Sequence, residues 1–163
     1  MSNKEVRQFI LTVATYGFVL TKKDTVQFAE TVFGNKPYCY YLINQQPAFF
    51  LFEQNLLVPH LFLIHQGRMQ LPLVVVDLGA VPFVLNGADI MRPGIVSTDF
   101  FTRNALVAIA AIPQNVSAEK TGTTKAIAVG KALVSSEELT TFEKGRCIQT
   151  LHYVGDAFWN VSH

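Results

Sequence analysis

The residue types that do chemistry are present in this chain, but they are not grouped for it. His60 and His65 are five apart, close to one helical face but off the i,i+4 spacing, with no third ligand nearby. Asp77 and Asp89 supply two carboxylates, yet each stands near a glycine, where an aspartate caps a turn or helix. Cys39 and Cys147 are far apart and lack a CxxC partner, which predicts free thiols in a reducing compartment. No GxSxG, GxxxxGK[ST] or GxGxxG occurs. The expectation is a protein with no catalytic residues, no metal site and no cofactor.

A different chemistry is written in Val74–Ile95, VVVDLGAVPFVLNGADIMRPGI, where the pairs Gly79-Ala80 and Gly87-Ala88 lie eight residues apart. The run Val74–Val76 suits a buried strand. Gly79 permits φ > 0 or a close backbone approach. Pro82 is tolerated early in a helical turn, and Asn86-Gly87 is a helix stop. Arg92-Pro93-Gly94 reads as a turn. No side chain here resembles a nucleophile or a general base. The small pairs leave main-chain N–H groups open, which suits holding a ligand by its backbone. Arg92 is either solvated or a contact to phosphate or a base edge, for which its planar fork is suited. Lys131, after Gly130, has the same two readings.

The segment resembles the glycine- and alanine-rich signature of the PUA domain, an RNA-binding fold. Ala126–Val134, AIAVGKALV, is similar to that family's central hydrophobic-Gly-basic strand, and Lys144–Trp159, KGRCIQTLHYVGDAFW, to its closing strands. The C-terminal His-Tyr-x-x-Asp-x-x-Trp, with Val58-Pro59-His60-Leu61 upstream, resembles the malignant T-cell amplified sequence protein family and its archaeal relatives. The resemblance implies a small N-terminal domain before a C-terminal PUA domain, and a translation role through tRNA and the small ribosomal subunit. It also implies an RNA groove between the helix after the first Gly-Ala pair and the late strand that carries His152 and Tyr153. Tyr153 then stacks a base or packs in the core, and Trp159 plugs the core. The expected RNA-binding residues are Gly79, Ala80, Asn86, Gly87, Ala88, Arg92, Pro93, Gly94, Lys131, His152 and Tyr153.

Positioning these residues requires a folded frame, and the composition supplies one. Half of the 163 residues are apolar and 15% are charged, which argues against disorder. Apolar runs such as Leu71–Val76 are far shorter than the roughly 20 residues of a membrane span, and no signal peptide is evident. A cytoplasmic protein is expected. The net charge is only +1, with six Lys/Arg against four acids in residues 1–72 and seven against eight in 73–163. RNA binding must therefore use a local patch and show a shallow salt dependence.

The fold class expected is α+β: a small N-terminal α+β domain over 1–72, then a PUA pseudo-barrel of mostly antiparallel strands over 73–163. Val6, Phe9, Ile10 and Val13 predict an amphipathic helix over Lys4–Ala14. Val26, Ala29, Val32 and Phe33 predict a second over Asp24–Phe33, stopped by Gly34. Tyr38–Ile43 and Ala48–Phe52 read as a hairpin, and Pro59 as the start of a short helix ending at Gly67. Strands are expected near Leu73–Asp77, Ile95–Ser97, Ala105–Ala110, Ala126–Val134, Ile148–Tyr153 and Ala157–Val161. Turn material at Pro113-Gln114-Asn115 and Thr121–Thr124 separates some of them, and Ser135–Leu139 reads as a capped helical turn. Tyr38, Tyr40, Tyr41, Phe49, Phe50 and Phe52 build a core, and any exposed remainder forms a protein or ribosome contact.

The functional expectation is a non-enzymatic protein that binds structured RNA, a tRNA acceptor end or rRNA. Its protein partner would be the small ribosomal subunit or a translation factor, with no membrane or DNA partner. The alternatives are an accessory or substrate-recognition subunit of an RNA-modifying enzyme, or a protein-binding adaptor.

Overall fold

The computed structural model describes residues 1–53, 56–112 and 125–161. The chain divides into two compact units, Met1–Gln70, with which Asn160 and Val161 are grouped, and Leu71–Trp159.

In the first unit helix α1 spans Asn3–Ala14, and Phe9 and Val13 are its buried residues, on the face that the periodicity predicts. Ser2 starts the helix through a capping box. Its hydroxyl accepts from the Glu5 N–H at 3.2 Å, and the Glu5 carboxylate accepts from the Ser2 N–H at 2.7 Å. Strands β1 (Val26–Phe33), β2 (Lys36–Ile43), β3 (Gln46–Phe52) and β4 (Leu56–Pro59) follow as an antiparallel sheet in sequence order. The expected hairpin is β2–β3. Its two-residue loop, Asn44-Gln45, has φ of 53° and 68°, the mirror-image turn that matches strand twist. The Asn44 side chain also accepts from the Thr25 N–H at 2.9 Å.

Asp24–Phe33 is not the expected helix. Val26, Ala29, Val32 and Phe33 fit a 3.6-residue period, but the stretch is rich in β-branched and aromatic residues, and eight consecutive pairs join β1 to β2. Gly34, at φ 62°, opens a two-residue hairpin loop instead of stopping a helix. Pro59 likewise ends β4, and α2 runs over Leu61–His65. Its cap is His60, fully buried, whose Nδ1 accepts from the Phe62 N–H at 3.0 Å. The aromatic run divides as a core requires. Tyr40, Phe49 and Phe50 are buried, while Tyr38, Tyr41 and Phe52 are partly covered. Phe9 of α1 stacks on Tyr41 at 4.3 Å and meets Phe49 edge-on at 5.8 Å.

The second unit is the expected mixed sheet. It comprises β5 (Leu73–Asp77), β6 (Ile90–Met91), β7 (Ile95–Thr98), β8 (Leu106–Ile112), β9 (Ala128–Ala132) and β10 (Arg146–Tyr153), with helix α3 over Val81–Val84. The order is β6-β10-β9-β8-β5-β7, antiparallel except for the parallel pair β5–β8. Val74, Val76, Val107, Ile109 and Ile148 lie at the centre of its core. The Ser135 hydroxyl accepts from the Glu138 N–H at 3.1 Å, at the start of a 3-10 turn over Glu138–Thr140 where a helical turn is expected. The turns expected at Pro113-Gln114-Asn115 and Thr121–Thr124 lie outside the described residues.

Gly130 accounts for the small residue in the hydrophobic-Gly-basic strand. A Cβ there would stand 2.5 Å from Ile148 Cγ2 and 2.8 Å from the Gln149 carbonyl oxygen, so β9 and β10 approach more closely than any side chain permits.

Ala157–Val161 is a run of turns, not a strand. The cause is Asp156. Its carboxylate accepts from the Tyr153 N–H at 2.9 Å and the Trp159 N–H at 2.8 Å, and takes the His152 Nδ1 donor at 2.9 Å. These bonds draw the chain back on itself after β10, which is the physical content of the His-Tyr-x-x-Asp-x-x-Trp spacing. The core plug is Phe158, fully buried, and Trp159 is only partly covered.

Two consequences are testable by chemical denaturation and thermal melts. Gly130→Ala will destabilise the protein by about 1–3 kcal/mol, because backbone must move to admit the methyl group; an unchanged midpoint would refute the close approach. The second concerns acid. Burial alone would raise the Asp156 carboxyl, but the His152 imidazole and the two N–H donors outweigh it and hold the group below its ordinary range. Its stabilisation is therefore complete above the unfolded value of about 4 and disappears as pH falls through the depressed folded value. Asp156→Asn will melt earlier than the parent near neutrality, and the gap will close in acid; a gap independent of pH would count against the ionised carboxylate as its source.

Candidate nucleic-acid interface

The Gly-Ala segment builds one wall of a cleft from local bonds. Asp77 ends β5 and its Oδ1 accepts from the Ala80 N–H at 3.2 Å, capping a 3-10 turn over Leu78–Ala80. A Cβ on Gly79 would lie 3.0 Å from that same oxygen, so the glycine leaves room for the cap. Pro82 occupies the first turn of α3. The helix ends on Gly87 at φ 85°, whose N–H donates to the Val84 carbonyl, while the Ala88 N–H donates to the Phe83 carbonyl, each at 3.0 Å. The N–H groups of Ala80, Gly87 and Ala88 are thus occupied within the fold. The expectation that they stand open to a ligand is corrected, because helix and turn ends must satisfy their own donors first.

The far end of the segment is fastened to β10. The Thr150 hydroxyl donates to the Ala88 carbonyl at 2.8 Å, and the Thr150 N–H donates to Asp89 Oδ1 at 3.1 Å. Asp89 Oδ2 meets Arg146 Nη2 at 2.7 Å. The Tyr153 ring packs where a Gly87 side chain would be, 3.3 Å from the missing Cβ.

Between these parts lies an open cleft of about 650 Å³. Of the expected binding residues, Gly79, Ala80, Ala88, Pro93 and Gly94 line it. Asn86, Gly87, Arg92, Lys131, His152 and Tyr153 do not. Asn86 is exposed and its amide donates to the Pro82 carbonyl at 3.0 Å. Lys131 lies on β9, opposite Leu106 and Gln149. His152 is fully buried and engaged by Asp156, so direct contact with a ligand is replaced by a place in the frame behind Tyr153.

Arg92 is also drawn inward. Its Nε donates to the Leu139 carbonyl at 3.1 Å and its Nη1 to the Ile95 carbonyl at 3.3 Å. A fork that suits phosphate equally suits two converging carbonyls. Nothing in the order of residues around Arg92 separates the two uses.

The cleft adds residues that sequence reading passed over, Phe83, Met91 and Arg146, and brings Asp77 and Asp89, read from sequence as caps, into its lining. Phe83 and Met91 are 67% and 47% exposed, large apolar surfaces turned to solvent. Arg146 is the cation of the lining and its side chain is 57% exposed. The signal for it was its place after Lys144-Gly145, at the start of the segment similar to the family's closing strands. Among the described residues no group of three His, Cys, Asp or Glu is placed to hold a metal ion.

Arg92→Ala will lower stability by about 1–3 kcal/mol, since partly buried carbonyls lose a charged donor; a melting temperature equal to the parent's would restore the reading of Arg92 as a free surface contact.

Comparison with known proteins meets this geometry on the same residues. The model of the PUA domain family matches residues 72–154. Translation machinery-associated protein 20 of Eremothecium gossypii is 32% identical, covering 99% of this chain and 86% of its own. Malignant T-cell-amplified sequence 1 of Rattus norvegicus is 34% identical, over 73% of this chain and 63% of its own. The crystal structure of a PUA domain protein from Aeropyrum pernix K1 superposes with a TM-score of 0.79 at 26% identity, covering 98% of this chain and 86% of that one. The match along nearly the whole chain, the mixed sheet and the turn held by Asp156 lead to one conclusion: this chain belongs to the PUA domain family, in the branch of the malignant T-cell amplified sequence and translation machinery-associated proteins.

Proposed function

We propose that the chain is a non-enzymatic RNA-binding protein of translation, working in the cytoplasm. The observation that carries this reading is the open cleft beside α3, whose lining includes Ala80, Ile90 and Gly94 with the exposed Phe83 and Arg146. An unstacked base fits an apolar floor with an aromatic neighbour, and an arginine fork fits a phosphate. Residues 73–163 act as the PUA domain and residues 1–72 as the family's pre-PUA domain. Kinship with a translation machinery-associated protein supports a place in translation, and the RNA proposed for it is a tRNA acceptor end or rRNA. The first unit then supplies a second contact, to the small ribosomal subunit or to a translation-factor protein.

The mechanism is positional. The Gly-Ala segment shapes the wall, Asn86, Gly87 and Pro93 set its turns, and Arg92, Lys131, His152 and Tyr153 support the cleft from outside its lining. Among the described residues no helix is long and apolar enough to cross a membrane.

A second reading, a protein-binding adaptor, draws on one observation: Phe83 and Met91 give the cleft edge a strongly apolar surface.

Titration with single-stranded RNA separates the two. Phe83→Ala will cost about 1–3 kcal/mol of RNA affinity, the range for loss of a stacked base, with no loss of melting temperature. Arg146→Gln will weaken binding and flatten the salt dependence by about one unit of slope. RNA affinity untouched by both substitutions would transfer the cleft to the adaptor reading.

A further inference from the structure

We infer that the first unit carries a phosphate contact for RNA at Arg68, with Lys22 and Lys23 beside it. This rests on the RNA-binding reading above and names what the first unit's second contact touches.

The second unit spends its arginines on itself. Arg92 donates to two carbonyl groups, Arg103 pairs with Glu138 and Arg146 with Asp89. Arg68 does not follow them. Among the described residues its guanidinium enters no hydrogen bond and no ion pair.

Arg68 is nevertheless held in place. Helix α2 ends on Gly67 at φ 72°, whose N–H donates to the Ile64 carbonyl at 3.1 Å. The Arg68 N–H donates to the Leu63 carbonyl at 2.9 Å, so the backbone from which the side chain leaves is fixed. The guanidinium then lies over the fully buried Phe18 ring, 5.0 Å from its centre. Stacking uses the face of the planar group and leaves the N–H donors at its edge for an acceptor.

The surroundings suit a phosphate. Arg68 lines a hollow of about 80 Å³ together with Gln46 and Gln66. Both are exposed, and their amides can donate to a phosphate oxygen or a ribose hydroxyl. Close by stands a turn over residues 21–24, closed by the Asp24 N–H donating to the Thr21 carbonyl at 3.1 Å, with the exposed Lys22 and Lys23 at its tip. Arg68 adjoins this turn. It covers Phe18, just before the turn in the chain, and its charge reaches Asp24. The Thr21 N–H first, then the Asn44 amide, with Arg68 adding, hold the Asp24 carboxyl below its ordinary range. Asp24 is committed to the turn, one oxygen to the Thr21 N–H at 2.9 Å and the other to the Asn44 amide at 2.7 Å. The corner is left with a net positive charge. Its arginine fork can take one phosphate in two hydrogen bonds, and its lysines meet phosphates as point charges.

The test is fluorescence anisotropy on the full chain with a single-stranded oligoribonucleotide over a range of monovalent salt, beside a melting curve for each variant. Arg68→Gln is expected to weaken binding about fivefold in low salt, the upper end for one exposed ion pair. It should also lower the salt slope by about 0.7, the value for one phosphate of a single strand. Lys22→Gln combined with Lys23→Gln should lower the slope by about 0.7 for each lysine that holds a phosphate. Phe83→Ala, in the cleft, should weaken binding and leave the slope unchanged. An Arg68→Gln protein that binds as the parent does at every salt concentration would overturn the inference and leave this corner to a protein partner, with RNA binding through the cleft intact. Weaker binding at an unchanged slope would overturn it as well, since an arginine that only supports the fold releases no counterions. Absence of RNA binding by the parent would instead overturn the RNA-binding reading itself. Should Arg68→Gln fail to fold, the double lysine variant, on an exposed turn, reads the same slope, and an unchanged slope there overturns the inference.

Discussion

The cleft exists because Thr150 holds two consecutive residues of a distant loop. Its hydroxyl and its N–H reach Ala88 and Asp89, more than sixty positions earlier in the chain. These bonds fasten the end of the Gly-Ala segment to β10, whose ladder with β9 is in turn set by the close approach at Gly130. A register shift between Thr150 and His152 interrupts that ladder. It lies between the clip and Tyr153, which packs against Gly87. The Asp156 turn completes the arrangement by fixing the chain that leaves β10.

This economy of charge explains how an RNA-binding fold can carry a net charge of only +1. Arg92 spends its guanidinium on two carbonyl groups of the fold, and Arg146 is shared with Asp89. A surface built this way has little long-range attraction for a polyanion. Affinity must come from short-range fit, from stacking and from the hydrogen-bonding edge of a base.

The first unit follows a different logic. Its sheet is laid down by two hairpins with two-residue loops, Gly34-Asn35 and Asn44-Gln45, and α1 covers one face through Phe9 and Val13. Most of the aromatic run is consumed by that packing. Other apolar residues of this unit stay exposed, among them Phe28, Val32 and Phe33 of β1, an edge strand, at 38%, 64% and 37%. An edge strand of this kind presents unpaired backbone groups together with apolar side chains.

Local patterns in the sequence were sufficient for elements with one strong solution. Helix α1, the Asn44 hairpin, strands β5, β7, β8, β9 and β10, and the helical turn broken at Gly87 are all set by residues within a few positions of one another. The motif order across Val74–Trp159 carried the family as well. Three things were not legible. Asp24–Phe33 satisfies both helical and strand periods, and only pairing with β2 chose between them. The fates of Arg92 and His152 depended on partners 47 residues away in one case and four in the other, whose geometry no spacing rule supplies. Gly79, Gly87 and Ala88 read as openings for a ligand, whereas the fold uses them to end a helix and admit neighbours. A sequence lists donors, acceptors and their local order. Which of them remain for a ligand is settled only when the tertiary structure has satisfied its own hydrogen bonds, because a buried polar group left without a partner costs more than the contact it would offer outside.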